Sequence, residues 1–271
     1  MKNRVVLITG ATDGIGKQTA LDLAAKGFHV IIHGRTIEKA EAALSAIKSL
    51  TRSDSLSSVY ADLSSLSQTR KLAENILSNY NKLDILINNA GIYMKELQYS
   101  KDGYEMTLAV NYLSHFLLTN LLLDLLMKSE DGRIVNVSSI AHQNAKLDWN
   151  NLNCEKSFSG YGAYSFSKLA NVLFSNELAN RIKQTNLKSN SLHPGVITTK
   201  LLKAGFNMSG DSVKKGAETS LFLASSDEAA NLNGEYLIDC KIAKPHSSAK
   251  EYEVLKKFWQ ISEEMTGLYQ K

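Results

Sequence analysis

Short apolar runs rich in β-branched residues alternate along the chain with longer stretches in which apolar residues recur at helical spacing. The predicted strands lie at 5–9, 30–32, 58–60, 85–87, 133–137, 189–193 and 235–238. The predicted helices lie at 15–26, 38–49, 66–80, 104–127, 164–183 and 213–225. Strict alternation of strands and helices predicts an α/β fold of the Rossmann type: a single-domain, doubly wound parallel sheet of about seven strands with helices on both faces.

The end of the chain carries a further helical pattern. Between residues 249 and 267, Tyr252, Leu255 and Trp259 fall at spacings that suit one face of an amphipathic helix. This helix could pack on the body, cover the substrate cleft or bind a partner, and the packed arrangement is favoured. The segment 201–211 contains glycines among apolar residues, and either a mobile lid or an ordinary loop would fit it.

The composition is that of an ordinary globular protein. Of the 271 residues, 44% are hydrophobic and 21% are charged, and the formal net charge is +4. Because the positive residues are scattered along the chain, we expect no nucleic-acid partner. Without a Pro- or Gly-rich linker, we expect one NAD(P)-binding domain over 1–271, with a cofactor half at roughly 1–130 and a catalytic and substrate half at roughly 131–271.

The cysteines and the first residues bear on the compartment. Cys154 and Cys240 lie far apart and lack the spacing of metal ligands, so we expect neither a disulfide framework nor a metal site. The first strand is predicted to begin at Val5, which leaves no room for a signal peptide. The most apolar run, 116–127, contains Asp124 and is too short to span a bilayer. We therefore expect a cytoplasmic protein without a transmembrane anchor.

A glycine-rich turn joins the first predicted strand to the first predicted helix. Gly10, Gly14 and Gly16 lie within the segment 9–16. Glycines at this point allow a tight turn and let backbone N–H groups approach a pyrophosphate at the positive end of a helix. The spacing alone also suits an ordinary strand-to-helix turn, but its place after an apolar first strand favours a dinucleotide.

The residues after the second strand indicate which dinucleotide binds. A carboxylate here would bind the ribose 2′-hydroxyl and repel a 2′-phosphate. This chain instead has Arg35, whose planar fork pairs with phosphate, followed by Thr36, which can add a hydroxyl. Asp13 in the glycine turn works against a phosphate and weakens the preference. NADP(H) is the predicted cofactor, and NAD(H) is the less favoured one.

A tyrosine and a lysine four residues apart are predicted to share one face of a helix. Tyr164 and Lys168 both lie in the predicted helix 164–183, so their side chains should be close together. A nearby ammonium group favours a phenolate, so we expect the pKa of Tyr164 to lie below its usual value of about 10. Such a proton-transfer group beside a dinucleotide indicates an enzyme that moves hydride to or from a carbonyl carbon.

With Ser139 upstream, these motifs resemble those of the short-chain dehydrogenases/reductases over essentially the whole chain. The further motifs that carry the resemblance are Asp62-Leu63, Asn88-Asn89-Ala90-Gly91, Val110-Asn111-Tyr112 and Pro194-Gly195-Val196-Ile197-Thr198-Thr199. Segments 133–142, 164–171 and 258–263 are most similar to the branch that contains retinol dehydrogenases and protochlorophyllide reductases.

The resemblance implies roles for individual residues. Tyr164 would be the general acid or base, and Ser139 would hold the substrate oxygen. Lys168 would bind the nicotinamide ribose, and Asn111 would hold a water that links this lysine to solvent. The expected cofactor-binding residues are Thr9, Gly10, Thr12, Asp13, Gly14, Ile15, Gly16, Arg35, Thr36, Asp62, Leu63, Asn89, Ala90, Gly91, Asn111, Tyr164, Lys168, Pro194, Gly195, Val196 and Thr199.

The predicted activity is hydride transfer between NADP(H) and a carbonyl or alcohol carbon of a hydrophobic substrate. Reduction of a C=C bond, as in the protochlorophyllide branch, is an alternative. A catalytically silent NADPH-binding regulator is another, although Ser139, Tyr164 and Lys168 together argue against it. The expected partner is a small carbonyl or alcohol, and assembly into a homo-oligomer is left open. We expect His142 and His193 to make structural hydrogen bonds rather than to act in acid–base catalysis.

Overall fold

A sheet of eight strands forms the centre of the structure, a computed structural model that describes residues 4–268. The strands are β1 (Val5–Ile8), β2 (His29–Gly34), β3 (Leu56–Tyr60), β4 (Ile85–Asn88), β5 (Gly132–Val137), β6 (Leu187–His193), β7 (Tyr236–Ile238) and β8 (Lys241–Ile242). Their order is β3-β2-β1-β4-β5-β6-β7-β8, and every neighbouring pair is parallel except β7 and β8.

Helices connect the strands and cover the sheet. They are α1 (Gly14–Ala25), α2 (Ile37–Thr51), α3 (Leu66–Asn79), α4 (Met106–Leu108), α5 (Ser114–Leu121), α6 (Leu123–Met127), α7 (Gly160–Arg181), α8 (Lys200–Phe206), α9 (Val213–Ser225) and α10 (Tyr252–Thr266). A π turn (Ala109–Leu113) joins α4 to α5, and two 3₁₀ turns occupy Ile140–Asn144 and Ser247–Lys250. Within residues 4–268, no helix combines the length and the apolar character that crossing a bilayer requires.

Successive strand residues face opposite sides of the sheet and enter two different apolar cores. On one side, Leu7 and Leu86 pack with residues of α3, α5, α7 and α10. On the other side, Ile8 and Ile87 pack with residues of α1, α2 and α9. The predicted doubly wound α/β fold is confirmed, and its inner strands are buried on both faces, as parallel strands under two helix layers must be.

Several elements differ from the prediction, and the predicted helix 104–127 is divided into α4, the π turn, α5 and α6. The sheet has eight strands rather than about seven, because the two-residue strand β8 is exposed and too short to leave an apolar pattern. Helix α7 begins at Gly160, before the predicted start at 164, because the Ser159 hydroxyl accepts a hydrogen bond from Gly162 N and caps it. The segment 201–211 contains helix α8, which is capped by the hydroxyl of Thr199.

The C-terminal helix packs on the body, as the favoured arrangement predicts. Phe258 and Trp259 of α10 are buried in the core shared with α5 and α7. The Trp259 ring stacks on Phe174, with ring centres 5.8 Å apart, and the Arg181 guanidinium lies 4.1 Å from its centre. This helix therefore belongs to the core rather than forming a separate lid.

The strand order changes direction beside β1, because β2 lies on one side of it and β4 on the other. In open parallel sheets, ligands bind in the crevice beyond the carboxyl ends of the strands at this switch point. The segment 9–16 follows β1 and the segment 89–91 follows β4, so both meet at this edge of the sheet.

Candidate active site

A cleft of about 920 Å³ opens at the switch point, near the upper end of the range for small-molecule sites. It is lined by most of the predicted site residues: Gly10, Thr12, Asp13, Gly14, Ile15, Gly16, Arg35, Asp62, Leu63, Asn89, Ala90, Gly91, Ser139, Tyr164, Lys168, Pro194, Gly195, Val196 and Thr199. Three predicted residues, Thr9, Thr36 and Asn111, are not among the residues that line the cleft.

Thr9 supports the glycine turn from beneath. Its side chain is fully buried, and its hydroxyl accepts hydrogen bonds from Asn89 N at 2.9 Å and Ala90 N at 3.0 Å. The Asn89 side chain donates in return to Thr9 O at 2.8 Å. A Cβ atom at Gly16 would lie only 2.3 Å from Asn89 Nδ2, so this approach requires glycine. These contacts lock the end of β1 to the end of β4.

The first turn of α1 faces the cleft, and its cap is neutralised by a lysine. Asp13 Oδ1 accepts a hydrogen bond from Gly14 N at 2.9 Å, and Oδ2 lies 2.7 Å from Lys200 Nζ. The hydrogen bond from Lys200 is the main cause that lowers the pKa of Asp13. The carboxylate that sequence reasoning counted against a phosphate is therefore paired with a cation from α8.

The residues after β2 divide between the cleft and a helix cap. Arg35 is exposed and lines the cleft, together with Lys39, a cation that sequence reasoning missed. The Thr36 hydroxyl instead accepts a hydrogen bond from Lys39 N at 3.5 Å and caps α2. Thr36 thus serves the helix, and Lys39 supplies the second polar group on this wall. A lysine one turn into a helix carries no sequence signal that separates it from a solvated surface residue.

His33 is a second site residue that the sequence did not reveal. It is buried, lines the cleft, and accepts a hydrogen bond from Gly10 N at Nδ1, 3.1 Å away. Its Nε2 lies 3.1 Å from Ala61 O and must therefore donate. Burial lowers its pKa to about 4, so the ring is neutral. His33 joins the ends of β1, β2 and β3 below the cleft.

Tyr164 and Lys168 lie one turn apart on α7, both nearly fully buried. Lys168 Nζ lies 5.7 Å from the centre of the phenol ring and donates a hydrogen bond to Val137 O at 3.0 Å. Burial lowers the pKa of Lys168 to about 8. Burial also raises the pKa of Tyr164 to about 12, and the Ser139 hydroxyl opposes this shift only in part. The predicted lowering of the tyrosine pKa is wrong for the protein's own groups, because removal of the phenol from water raises its pKa and Lys168 is not among the groups that oppose this rise.

Asn111 lies behind the cleft, inside the π turn. Its Oδ1 accepts a hydrogen bond from Ile92 N at 2.8 Å, and its Nδ2 donates to Ile92 O and to Ser167 Oγ, both at 3.0 Å. Its backbone carbonyl oxygen lies 3.0 Å from the side-chain nitrogen Nδ2 of Asn171 and 3.0 Å from Nδ1 of His115. The side chain thus holds the segment after β4, and its predicted contact with a water stays a prediction.

Aromatic and apolar side chains surround Tyr164 on the open side. Phe206 lies at the end of α8. The centre of its ring is 5.9 Å from that of Tyr164, 5.0 Å from that of Tyr93 and 6.1 Å from that of Tyr161. The further apolar residues of this wall are Ile92, Met94, Met106, Ile140, Val196, Leu201, Leu202 and Met208. Apart from Val196, these residues were not predicted from the sequence, because they come from separate segments of the chain.

The cleft fits a nicotinamide dinucleotide on its own chemistry. A Cβ atom at Gly91 would lie 3.4 Å from Lys168 Nζ and 3.6 Å from Asn111 Oδ1, so glycine keeps this space clear in front of the lysine. The first turn of α1 presents backbone N–H groups, and Arg35 and Lys39 present positive charge. Within residues 4–268, no group of three or more His, Cys, Asp and Glu side chains is arranged to hold a metal ion.

Comparisons with known proteins agree with this geometry. The family model for short chain dehydrogenases matches residues 4–210. Retinol dehydrogenase 12 from Homo sapiens is 39% identical, with 99% of this chain and 88% of the relative covered, and retinol dehydrogenase 14 from Homo sapiens is 40% identical with the same coverage.

Among solved structures, a short chain dehydrogenase from Escherichia coli complexed with NADPH superposes with a TM-score of 0.74 at 27% identity, covering 89% of this chain and 98% of that one. An uncharacterized protein from Mycobacterium paratuberculosis superposes with a TM-score of 0.83 at 32% identity, covering 98% and 94%. The chain belongs to the short-chain dehydrogenases/reductases, in the branch similar to retinol dehydrogenases, and is an oxidoreductase of that family.

Proposed function

We propose that the protein transfers hydride between NADP(H) and a carbonyl or alcohol carbon of a hydrophobic substrate. The observation that carries the proposal is one cleft that unites the glycine turn, two cations and the Ser139–Tyr164–Lys168 group. The bound cofactor supplies or accepts the hydride, and the protein positions the reacting groups. In this proposal most cofactor contacts come from residues before β5, and the residues that transfer the proton come after it.

The NADP(H) preference rests on the positive charge beyond β2. Arg35 and Lys39 line this end of the cleft, whereas Glu38, the first carboxylate after β2, does not line it. Asp13, the carboxylate in the glycine turn, is paired with Lys200. Asp62 is also engaged, because its Oδ1 accepts hydrogen bonds from the backbone and hydroxyl of Ser64. The charge balance therefore favours a ligand with an additional phosphate.

The raised pKa of Tyr164 favours proton donation by this residue. A phenol with a pKa of about 12 is protonated at neutral pH, so it can give its proton to the substrate oxygen during carbonyl reduction. Ser139 would donate a hydrogen bond to the same oxygen and stabilise developing charge. Lys168 would bind the nicotinamide ribose. Because its pKa of about 8 lies close to neutral pH, it could also return a proton to the tyrosine. Asn111 would hold the strand end that carries Gly91 in place.

The substrate expected at this site is apolar and bulky. The wall in front of Tyr164 is built from methionine, leucine and aromatic side chains, and the ring centre of Phe206 lies 5.9 Å from that of Tyr164. The retinol dehydrogenase relatives are consistent with a hydrophobic alcohol or aldehyde. Reduction of a C=C bond is the alternative reaction, and product analysis separates the two. A cytoplasmic location stays a prediction from the sequence.

The test is a panel of aldehydes, ketones and alcohols, assayed with NADPH and with NADH. We expect turnover of bulky hydrophobic aldehydes with a preference for NADPH. Arg35→Asp should shift the ratio of kcat/KM for NADPH over NADH by about 10- to 100-fold towards NADH, because one charge-assisted phosphate contact is lost and a repulsion is added.

Arg52→Asp is the matched control, since Arg52 is exposed at the end of α2 and does not line the cleft. The control should leave the cofactor ratio unchanged. An equal ratio in wild type and Arg35→Asp would overturn the NADP(H) assignment. NADPH binding without turnover of any compound in the panel would favour a silent regulator instead.

A further inference from the structure

The turn that follows Ser139 is bonded to the C-terminal part of the chain. Ser139 caps the 3₁₀ turn Ile140–Asn144, and its hydroxyl accepts a hydrogen bond from Ala141 N at 3.2 Å. His142 lies inside this turn and is fully buried. Its Nδ1 lies 2.6 Å from Ser139 O, and its Nε2 lies 3.1 Å from His246 N. One imidazole thus connects the backbone of Ser139 to the segment before the turn Ser247–Lys250.

The two partners define the protonation state of this ring. A backbone carbonyl can only accept a hydrogen bond, so Nδ1 must carry the proton that it donates to Ser139 O. A backbone N–H can only donate, so Nε2 must be unprotonated to accept from His246 N. Both bonds exist together only in the neutral Nδ1–H tautomer of His142.

We propose that His142 is a positioning residue for Ser139, which in this tautomer fixes the serine backbone against the C-terminal segment. This inference rests on the proposed function, in which the Ser139 hydroxyl acts on the substrate oxygen beside Tyr164. The serine precedes the turn and has no helix or strand of its own. Its carbonyl accepts one hydrogen bond from the backbone N–H of His142 at 3.1 Å and a second one from the ring of the same residue, and only the ring links it onward to the C-terminal segment. Small displacements of a positioned group reduce turnover strongly.

The surroundings of the ring support a neutral imidazole. The Tyr236 ring of β7 packs on His142, with centres 4.6 Å apart. The titratable side chains on the elements packed around it are Tyr236 of β7, His193 of β6, Tyr164 and Lys168 of α7, and His246. Burial, with a smaller contribution from His246, lowers the pKa of His142. Protonation at acid pH would remove the acceptor for His246 N and release the segment.

Two substitutions separate the two hydrogen bonds. In His142→Asn the amide N–H can take the place of Nδ1 and still donate to Ser139 O. In His142→Gln the longer amide reaches the place of Nε2, and the bond to Ser139 O is lost. We expect His142→Gln to lower kcat for aldehyde reduction by about 10- to 100-fold with an unchanged Kd for NADPH, and His142→Asn to recover most of the loss. A His142→Gln enzyme with wild-type kcat, or equal losses in both variants, would overturn the proposal.

Gln143→Ala provides the matched control. Gln143 is exposed and donates a hydrogen bond to Lys244 O at 2.7 Å, so it joins the same two segments without contacting Ser139. We expect this variant to keep wild-type kcat. A loss equal to that of His142→Gln would show that docking of the C-terminal segment, and not the position of Ser139, is what matters.

Histidine ¹⁵N chemical shifts of the wild-type protein test the inference without any turnover. We expect the neutral Nδ1–H tautomer of His142 at pH 7, with loss of kcat at acid pH following protonation of this ring. An imidazolium or an Nε2–H tautomer at pH 7 would refute the inference, even if a substituted protein fails to fold. A wild-type protein that reduces no carbonyl compound would instead refute the proposed function and leave the tautomer result to stand by itself.

Discussion

The folded protein buries the ammonium group of Lys168 without pairing it with a carboxylate. Its Nζ donates to Val137 O, and the salt bridges within residues 4–268 do not include it. Burial lowers its pKa from 10.5 to about 8. Between these two values the unfolded chain holds more protons than the folded protein, so the free energy of unfolding rises with pH in this window. Below pH 8 the buried lysine is charged, so the folded protein bears the full free-energy cost of burying that charge.

The linkage relation gives the size of this effect. With a folded pKa of about 8 and an unfolded pKa of 10.5, Lys168 adds about 2 kcal/mol to stability between pH 7.0 and pH 9.5. Lys168→Met removes this contribution. We therefore expect the free energy of unfolding of the wild type, relative to Lys168→Met, to rise by about 2 kcal/mol over this interval.

Urea unfolding followed by tryptophan fluorescence at the two pH values measures the difference, without cofactor. Subtraction of the variant cancels the titration of the other lysines and tyrosines. Lys214→Met, at an exposed position on α9, is the control and should follow the wild type. Parallel changes with pH in wild type and Lys168→Met would refute the claim that burial depresses the pKa of this lysine.

Two further substitutions test the walls of the cleft. Gly16→Ala places a Cβ atom 2.3 Å from Asn89 Nδ2, so it should lower the free energy of unfolding by about 2–4 kcal/mol and weaken NADPH binding. An unchanged melting temperature would contradict the close packing of this turn. Phe206→Ala removes a ring that lines the cleft beside Tyr164, so the ratio of kcat/KM for bulky over small aldehydes should rise by about tenfold. An unchanged ratio would exclude Phe206 as a size filter.

The fold could be predicted from the sequence because most inner strands are short runs rich in β-branched residues that alternate with helical stretches. The run at 85–87 is buried on both faces in the structure, so its apolar character extends over every residue. The run at 133–137 is buried as well but includes Arg133 and Asn136, whose side chains are hydrogen-bonded. Strand β8 has only two residues and both are exposed, which gives no such pattern. The π turn at Ala109–Leu113 could not be predicted, because it lies inside one long apolar helical pattern that an extra residue in one turn barely changes.

The cofactor wall was predictable and much of the substrate wall was not. Glycine is required where two backbone segments approach closely, as at Gly16, so the glycines after β1 indicate the turn in the sequence. The packing of Phe206 against Tyr93 and Tyr164 depends on the path of α8, which short sequence patterns do not specify. The pKa of Tyr164 also required the structure, because spacing places the ammonium nearby but does not show how far the phenol is buried.

The central claim, that the Tyr164 hydroxyl moves the proton, is tested most directly by Tyr164→Phe. The substitution removes one oxygen from a buried ring, so we expect the Kd for NADPH to stay within about twofold while kcat falls by about 10²- to 10⁴-fold. Tyr252→Phe, at an exposed position on α10, should keep the wild-type kcat. Near wild-type turnover by a Tyr164→Phe enzyme that binds NADPH normally would contradict the claim.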